Sequence, residues 1–401
     1  MASSSRRAAL ADRTYDVVLV GATGFTGGLT AEYLARHAPV GMRWALAGRN
    51  RGKLEAVRDR LSTLLTETGG VDLLDVDVTE ESSVLRVAES ARVLITTVGP
   101  YLHHGEPFVA ACAAAGTDYV DLTGESEFVD RMFLAHHETA ERTGARIVHA
   151  CGFDSIPHDL GAQFTVEQLP EDVPIDLHGY VSTSARPSGG SFASTVAAMS
   201  RLRQASAAHR ERRAADPAPT GGRRVGSGAA RPGYDKRIGR WVLPMPTVDP
   251  QIVLRSAAVL ERYGPDFRYS HLVSFKNPAF AAATVGGVGA FVAIAQLPPA
   301  RPLLLKALPS GKGPSPEQIE KSWFRVRFVG EGGGRRVETE VRGGDPGYGE
   351  TSKMLAESAL CLAFDDLPQT AGMVTTAVAM GPVLRERLVA NGIDFSVISA
   401  R

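Results

Sequence analysis

The run Tyr15-Asp-Val-Val-Leu-Val-Gly-Ala-Thr-Gly-Phe-Thr-Gly-Gly28 restricts the fold more than any other stretch of the chain. Residues 17–20 are apolar and rich in β-branched side chains, the pattern of a parallel strand buried on both faces. Gly21, Gly24 and Gly27 follow at three-residue spacing. Residues 29–37 then read as a helix with Leu29, Tyr33 and Leu34 on one face. Strand, glycine turn and helix in that order make a corner that grips a pyrophosphate. Gly21 permits the tight turn, Gly24 lets the backbone approach the anion, and Gly27 lets helix and strand pack closely; the helix N-terminus offers free N–H groups. Gly21, Thr23, Gly24, Phe25, Thr26 and Gly27 are therefore expected to bind a dinucleotide.

The alternation continues. Residues 44–48, 71–76, 93–98, 118–122 and 146–150 read as strands, with helices over 53–65, 80–89, 107–115 and 127–143. This predicts an α/β fold, a Rossmann doubly wound parallel sheet, over residues 14–156. The pattern then changes. Residues 157–346 read as a second, mixed α+β domain, with a strand at 175–183, a helix at 191–208 and a hairpin of 323–329 with 336–341 across 332–334. Residues 347–401 are expected to be helices, 348–364 and 380–390, with 372–376 as a turn.

Charge narrows the partners. Lys+Arg and Asp+Glu both number 44, so a dedicated nucleic-acid binder is not expected. Residues 201–240 nevertheless carry ten Arg and one Lys against one Glu and two Asp. Rich also in Pro, Gly and Ser, the stretch 209–240 reads as a mobile basic loop: either simply solvated, or a surface for membrane phosphates or an acidic carrier protein. Residues 277–300 hold no charge. They read as a buried helix or lipid-pocket wall, an interfacial membrane element, or a span. With the apolar patch at 303–308 they make 279–308 the expected site of peripheral membrane contact. The three cysteines are far apart and no HExxH or CxxC is present, so no disulfide framework and no metal site are inferred. Residues 1–13 have Arg6 and Arg7 but no apolar core behind them, a frayed tail rather than a secretory signal. The expected location is the cytoplasm, peripherally on the inner face of the plasma membrane. Self-association is left open.

Several residues stand where chemistry is done in such folds. The second strand ends in Arg49, with Arg51 and Lys53 beyond, where an NAD site would carry Asp or Glu; positive charge there favours the 2′-phosphate of NADPH. Asp77 either lies beside the adenine or caps a helix. Thr97, Gly99 and Pro100 come to the carboxyl edge of the sheet, where a nicotinamide would sit. Tyr101 either donates a proton or covers the ring. His103 and His104 read as solvent-facing. Asp121, Thr123 and Glu125 mark the next edge. Asp154 and Ser155 either cap a helix, or Asp154 or His158 lies beside a substrate. Cys151 has no base placed to activate it.

The strings Val20-Gly-Ala-Thr-Gly-Phe-Thr-Gly27, Ala47-Gly-Arg49, Thr97-Val-Gly-Pro-Tyr101, Cys112-Ala-Ala-Ala-Gly-Thr-Asp-Tyr119, Asp121-Leu-Thr-Gly-Glu125 and His149-Ala-Cys-Gly-Phe-Asp-Ser-Ile-Pro157 together resemble the saccharopine dehydrogenase-like oxidoreductases. Within them the chain looks closest to the trans-acting enoyl reductases of actinobacteria, and Tyr348-Gly-Glu-Thr-Ser-Lys-Met354 resembles their closing segment. The resemblance implies a Rossmann domain with an inserted mixed α+β domain, the closing segment returning to the first. It implies an NADP(H)-dependent oxidoreductase that reduces a carbon–carbon double bond of an acyl or polyketide thioester in lipid biosynthesis. Tyr101 and Asp154 are its expected catalytic groups. Two other readings stay open: a lipid- or membrane-associated nucleotide-binding protein without turnover, and a saccharopine-type dehydrogenase of small molecules.

Overall fold

The computed structural model describes residues 10, 12–64, 70–184, 189–297, 299 and 315–401. They divide into two compact units. The first runs to Gly152 and takes in Tyr348–Arg387; the second runs from Phe153 to Gly347 and takes in Leu388–Arg401.

The first unit is built on six strands in chain order, β1 (Tyr15–Val20), β2 (Trp44–Gly48), β3 (Asp72–Asp75), β4 (Ala91–Thr96), β5 (Asp118–Asp121) and β6 (Arg146–Val148). A late strand, Gly372–Val374, joins β6 in parallel. The sheet order is Gly372–Val374, β6, β5, β4, β1, β2, β3, and every pairing is parallel. This is the doubly wound sheet expected. β1 is central, with Val17 opposite both Trp44 and Val93, and Val17, Val18 and Leu19 are fully buried. A strand covered on both faces cannot alternate polar with apolar residues, which explains its sequence. The strand order reverses between β1 and β4, so a crevice opens at their carboxyl ends.

The first helix spans Phe25–His37, starting inside the glycine turn. The closing helix Gly349–Phe364 packs on it: Phe25 meets Tyr348 edge-on with ring centres 4.6 Å apart, and the Tyr33 hydroxyl donates to Glu357 at 2.8 Å.

The second unit carries a mixed sheet made from β7 (Ile175–Thr183), β8 (Arg224–Ser227), β9 (Gly233–Asp235), β10 (Arg240–Pro244), β11 (Asp266–Phe275), β12 (Phe324–Gly332) and β13 (Arg335–Gly343), with a last strand, Asp394–Ala400. The order is Asp394–Ala400, β13, β12, β7, β11, β10, β9, and β8 pairs with the first half of β11. The helix Ile156–Val166 lies close on this sheet, since a Cβ on Gly161 would stand 2.4 Å from the Phe328 ring.

Three expectations are corrected. Residues 209–240 are not an open loop: they continue the helix Leu202–Ala215 and fold into β8 and β9. Their arginines do local work. Arg223 donates to the carbonyls of Ala257, Ala258 and Leu260, where the helix Asp249–Val259 leaves its last acceptors unpaired. Arg212 pairs with Asp216 and Arg224 with Asp266. Second, residues 372–376 are not a plain turn but supply the seventh strand of the first sheet. Third, the chain does not end in helix; Asp394–Ala400 pairs antiparallel with β13. The apolar patch at 303–308 and the tail at 1–9 lie outside the described residues.

Candidate functional site

The corner after β1 has the geometry of an anion cradle. Gly21 has φ +93°, which side chains other than glycine rarely adopt. The Gly24 N–H donates to the Gly21 carbonyl at 2.9 Å and closes the turn. No side chain caps the helix Phe25–His37 at its Gly24 end. Its first-turn N–H groups are left for a ligand, and the helix dipole adds positive potential there. Thr23 and Gly24 are exposed, whereas Phe25 and Thr26 are half-buried. Phe25 packs on Tyr348, and the Thr26 carbonyl accepts from Thr30 and Ser352. Phe25 and Thr26 thus fix the cradle through packing and backbone, while Thr23 and Gly24 face outward.

Thr97 braces the turn from β4. Its hydroxyl donates toward the carbonyls of Val20 and Gly21 at 3.3 and 3.2 Å. Gly99 and Pro100 follow and lead into the short helix Tyr101–His104.

At the carboxyl ends of β2 and β3 lies a recess of about 210 Å³ lined by Arg49, Asp75, Asp77, Glu80, Ser83 and Arg86. Arg49 is exposed, free to reach an anion. Asp77 accepts from the Thr79 N–H and hydroxyl at 2.9 and 2.8 Å, and those bonds, with Arg49 nearby, hold its carboxyl below the usual range. It therefore shapes the loop and does not cap the helix Glu81–Ser90. Arg86 and Ser83 were not foreseen, because they come from that helix rather than from a strand end. Arg49 and Arg86 offer two guanidiniums to a phosphate at this recess, beside the three carboxylates of Asp75, Asp77 and Glu80.

Tyr101 is not placed as a proton donor. It is 6% exposed, its hydroxyl donates to the Thr96 carbonyl at 3.0 Å, and it accepts from the Leu122 N–H at 3.2 Å. A phenol tied to two backbone groups inside the core is a brace. Glu125, 1% exposed, accepts from the Tyr101 and Leu102 N–H groups at 3.1 and 2.9 Å and so caps the short helix. Asp121 accepts from the Tyr119 hydroxyl and the Thr123 and Ala150 N–H groups, and lies 2.7 Å from His149 Nδ1. These edge carboxylates organise loops. Cys151 is fully buried, and its thiol points to the Val148 carbonyl.

Asp154 belongs to the second unit, Tyr101 to the first. Asp154 is exposed, one residue before Ser155, the residue at the N-terminal boundary of the helix Ile156–Val166, and Ser155 makes no side-chain cap. Its charge acts on the buried Asp249. His158 is not beside open solvent; it is 1% exposed and lies against Asp249 and His271.

Comparison with known proteins agrees with this arrangement. Residues 17–148 match the family model described as the saccharopine dehydrogenase NADP binding domain, so the dinucleotide for the corner is NADP(H). The trans-acting enoyl reductase of Mycobacterium tuberculosis is 36% identical over 96% of this chain and 97% of its own length. The trans-acting enoyl reductase of Mycobacterium ulcerans is 35% identical over 96% of this chain and 98% of its own. Among solved structures, the saccharopine dehydrogenase (L-Glu forming) of Saccharomyces cerevisiae matches with a TM-score of 0.53 at 11% identity, covering 96% of this chain and all of that one, a likeness of fold.

Proposed function

The chain belongs to the family of trans-acting enoyl reductases, and from that premise we propose that it reduces the carbon–carbon double bond of an acyl or polyketide thioester with NADPH, in lipid biosynthesis. The likeness to the trans-acting enoyl reductases over nearly the whole chain supports the reaction, and the uncapped glycine corner with Arg49 and Arg86 at the ends of β2 and β3 supports the cofactor. The residues fit the cofactor: the first-turn N–H groups after Gly24 would hold the pyrophosphate, and Arg49 and Arg86 the 2′-phosphate.

When bound, NADPH supplies a hydride, which an α,β-unsaturated thioester accepts at its β-carbon. The protein's share is to fix the cofactor's far end and keep the sheet edge rigid. Thr97 holds the Gly21 carbonyl, Glu125 caps the helix at Tyr101, and the Tyr101 hydroxyl ties β4 to the chain after β5. The electron pair displaced to the thioester oxygen needs hydrogen-bond donors, and the α-carbon needs a proton. With Tyr101 engaged, we assign the proton to solvent.

The apolar helix Pro278–Ala295 supports a peripheral membrane contact on the cytoplasmic face. It is long and apolar enough to cross a membrane, yet only 11% of it is buried, and Phe280, Val285 and Val288 are more than half exposed. An uncharged helix so exposed in water is unfavourable unless another apolar phase covers it. A carrier-held lipid precursor at a membrane surface fits this picture.

The test is NADPH oxidation on adding crotonyl- or longer enoyl-thioesters. Oxidation is expected, and NADH should substitute poorly. Oxidation only with a 2-oxo acid plus an amine, or tight NADPH binding with no acceptor turned over, would overturn the reading.

A further inference from the structure

The second unit holds a cluster that neither the fold nor the cofactor explains. His158 lies early in the helix Ile156–Val166, Asp249 is the first residue of the helix Asp249–Val259, and His271 sits on β11. Their relative exposures are 1%, 2% and 4%. His158 Nε2 stands 3.2 Å from Asp249 Oδ1, and His271 Nε2 stands 3.5 Å from Asp249 Oδ2. One ligand atom from each residue lies within 4.8 Å of the others. We propose that His158, Asp249 and His271 form a binding site for a divalent transition-metal ion of the zinc type.

The spacing fits. Ligand atoms about 2.0–2.1 Å from a tetrahedral zinc lie about 3.3 Å apart. Each histidine stands near that distance from one oxygen of Asp249, His158 from Oδ1 and His271 from Oδ2, so a small closing movement would bring one donor from each residue onto one ion. The donor set fits as well: two imidazole nitrogens and one carboxylate suit zinc or a neighbouring transition ion, whereas magnesium and calcium want an all-oxygen shell. Three protein donors leave a further position for solvent.

A second layer orients the donors. The Tyr269 hydroxyl is 2.9 Å from His271 Nδ1, which turns Nε2 toward the cluster. The Thr247 hydroxyl donates to Asp249 Oδ2. Metal-binding imidazoles and carboxylates are usually held in this way by a partner on the far side.

The cluster is poorly satisfied by protein alone. Asp249 Oδ1 and His271 Nε2 are buried and make no hydrogen bond among the described residues. Such orphaned groups are rare and costly. Neutral imidazoles are the form a metal takes, and a buried dication gives the carboxylate the positive partner it lacks. The ion would cross-link two helices and a strand of the second unit. This inference does not depend on the enoyl reductase reading.

The experiment uses the full chain, stripped with dipicolinate and dialysed against zinc. About one zinc per chain should be retained, with a raised unfolding temperature, and cobalt in its place should give the visible absorption of a four- or five-coordinate ion. Asp249→Asn and His271→Gln are near in shape and should each lose zinc at least ~100-fold, judged beside unchanged NADPH binding as the sign of a folded chain. Tyr269→Phe keeps all three donors and should weaken zinc about 10–100-fold; it carries the test if the other variants fail to fold. Failure of the unaltered chain to retain zinc or cobalt would overturn the proposal, as would uptake that Asp249→Asn and Tyr269→Phe leave unchanged.

Discussion

A methyl group on Gly27 would stand 2.2 Å from the carbonyl oxygen of Gly21. No relaxed contact allows that distance, so the helix must slide away from β1 or the turn must open. Gly27→Ala is expected to cost about 1–3 kcal/mol as overpacking. Because the displaced atoms are the cradle itself, NADPH affinity should fall at least ~10-fold. Fluorescence titration with NADPH checks this; unchanged affinity would mean that the corner does not hold the pyrophosphate.

Arg49 and Arg86 should set the choice between NADPH and NADH. A charge-assisted hydrogen bond contributes about 1.5–3 kcal/mol. Arg49→Asp should therefore weaken NADPH about 10–100-fold and leave NADH nearly unaffected. Arg86→Ala should act in the same direction. Isothermal titration with both cofactors measures it, and discrimination unaltered by both variants would place the 2′-phosphate elsewhere.

Glu125 is a stability residue. Glu125→Ala leaves the Tyr101 and Leu102 N–H groups without the carboxylate that now receives them. Each buried donor left unmade costs about 1–3 kcal/mol. Urea unfolding should show a loss of unfolding free energy of that order, with Glu125→Gln milder because it retains one acceptor.

Acid should act through Asp16. Burial pushes its carboxyl up, but hydrogen bonds from Arg43 and Arg92 outweigh burial and hold it below its usual range. The Arg43 and Arg92 guanidiniums stand 3.0 and 3.2 Å from Asp16 Oδ1. A carboxyl lowered in the folded state contributes stability above the unfolded carboxylate pKa of about 3.9 and loses it as pH falls through the folded value. Asp16→Asn should therefore lower stability at neutral pH and flatten its fall below about pH 4. Thermal unfolding across pH would reveal an unchanged acid limb if Asp16 is not the responsible group.

The exposed helix predicts a lipid response. The double variant Val285→Asp, Val288→Asp should reduce flotation with anionic liposomes at least ~10-fold while leaving NADPH binding intact, since a charge in an apolar phase costs several kcal/mol. Flotation that survives would remove this helix as the contact.

Local order was legible wherever one short stretch carries the whole signal. Residues 17–27 contain a strand, its turn and the helix start, so spacing alone marks the cradle. Arg49 follows its own strand and could be read the same way. Arg86 and Ser83 could not, because they reach the recess from a helix whose register depends on how it packs. Tyr101 shows the limit from the other side. Its position at a strand edge suggests chemistry, yet its hydroxyl is taken by the Thr96 carbonyl and the Leu122 N–H. The basic stretch 209–240 shows it again: composition suggested a solvated loop, but Arg223 and Arg224 found acceptors in the helix Asp249–Val259 and in Asp266.

The sequence by itself determined the doubly wound sheet, the dinucleotide corner and the family, because β-branched runs, glycine spacing and strand-end residues act over a few neighbours. Tertiary structure decided which side chains are spent inside the fold and which remain for ligands, because hydrogen bonds and burial depend on partners far along the chain. His158, Asp249 and His271 are the plainest case. Nothing in their spacing marks them, and only the packing of two helices on β11 brings their nitrogens and oxygens within a metal's reach.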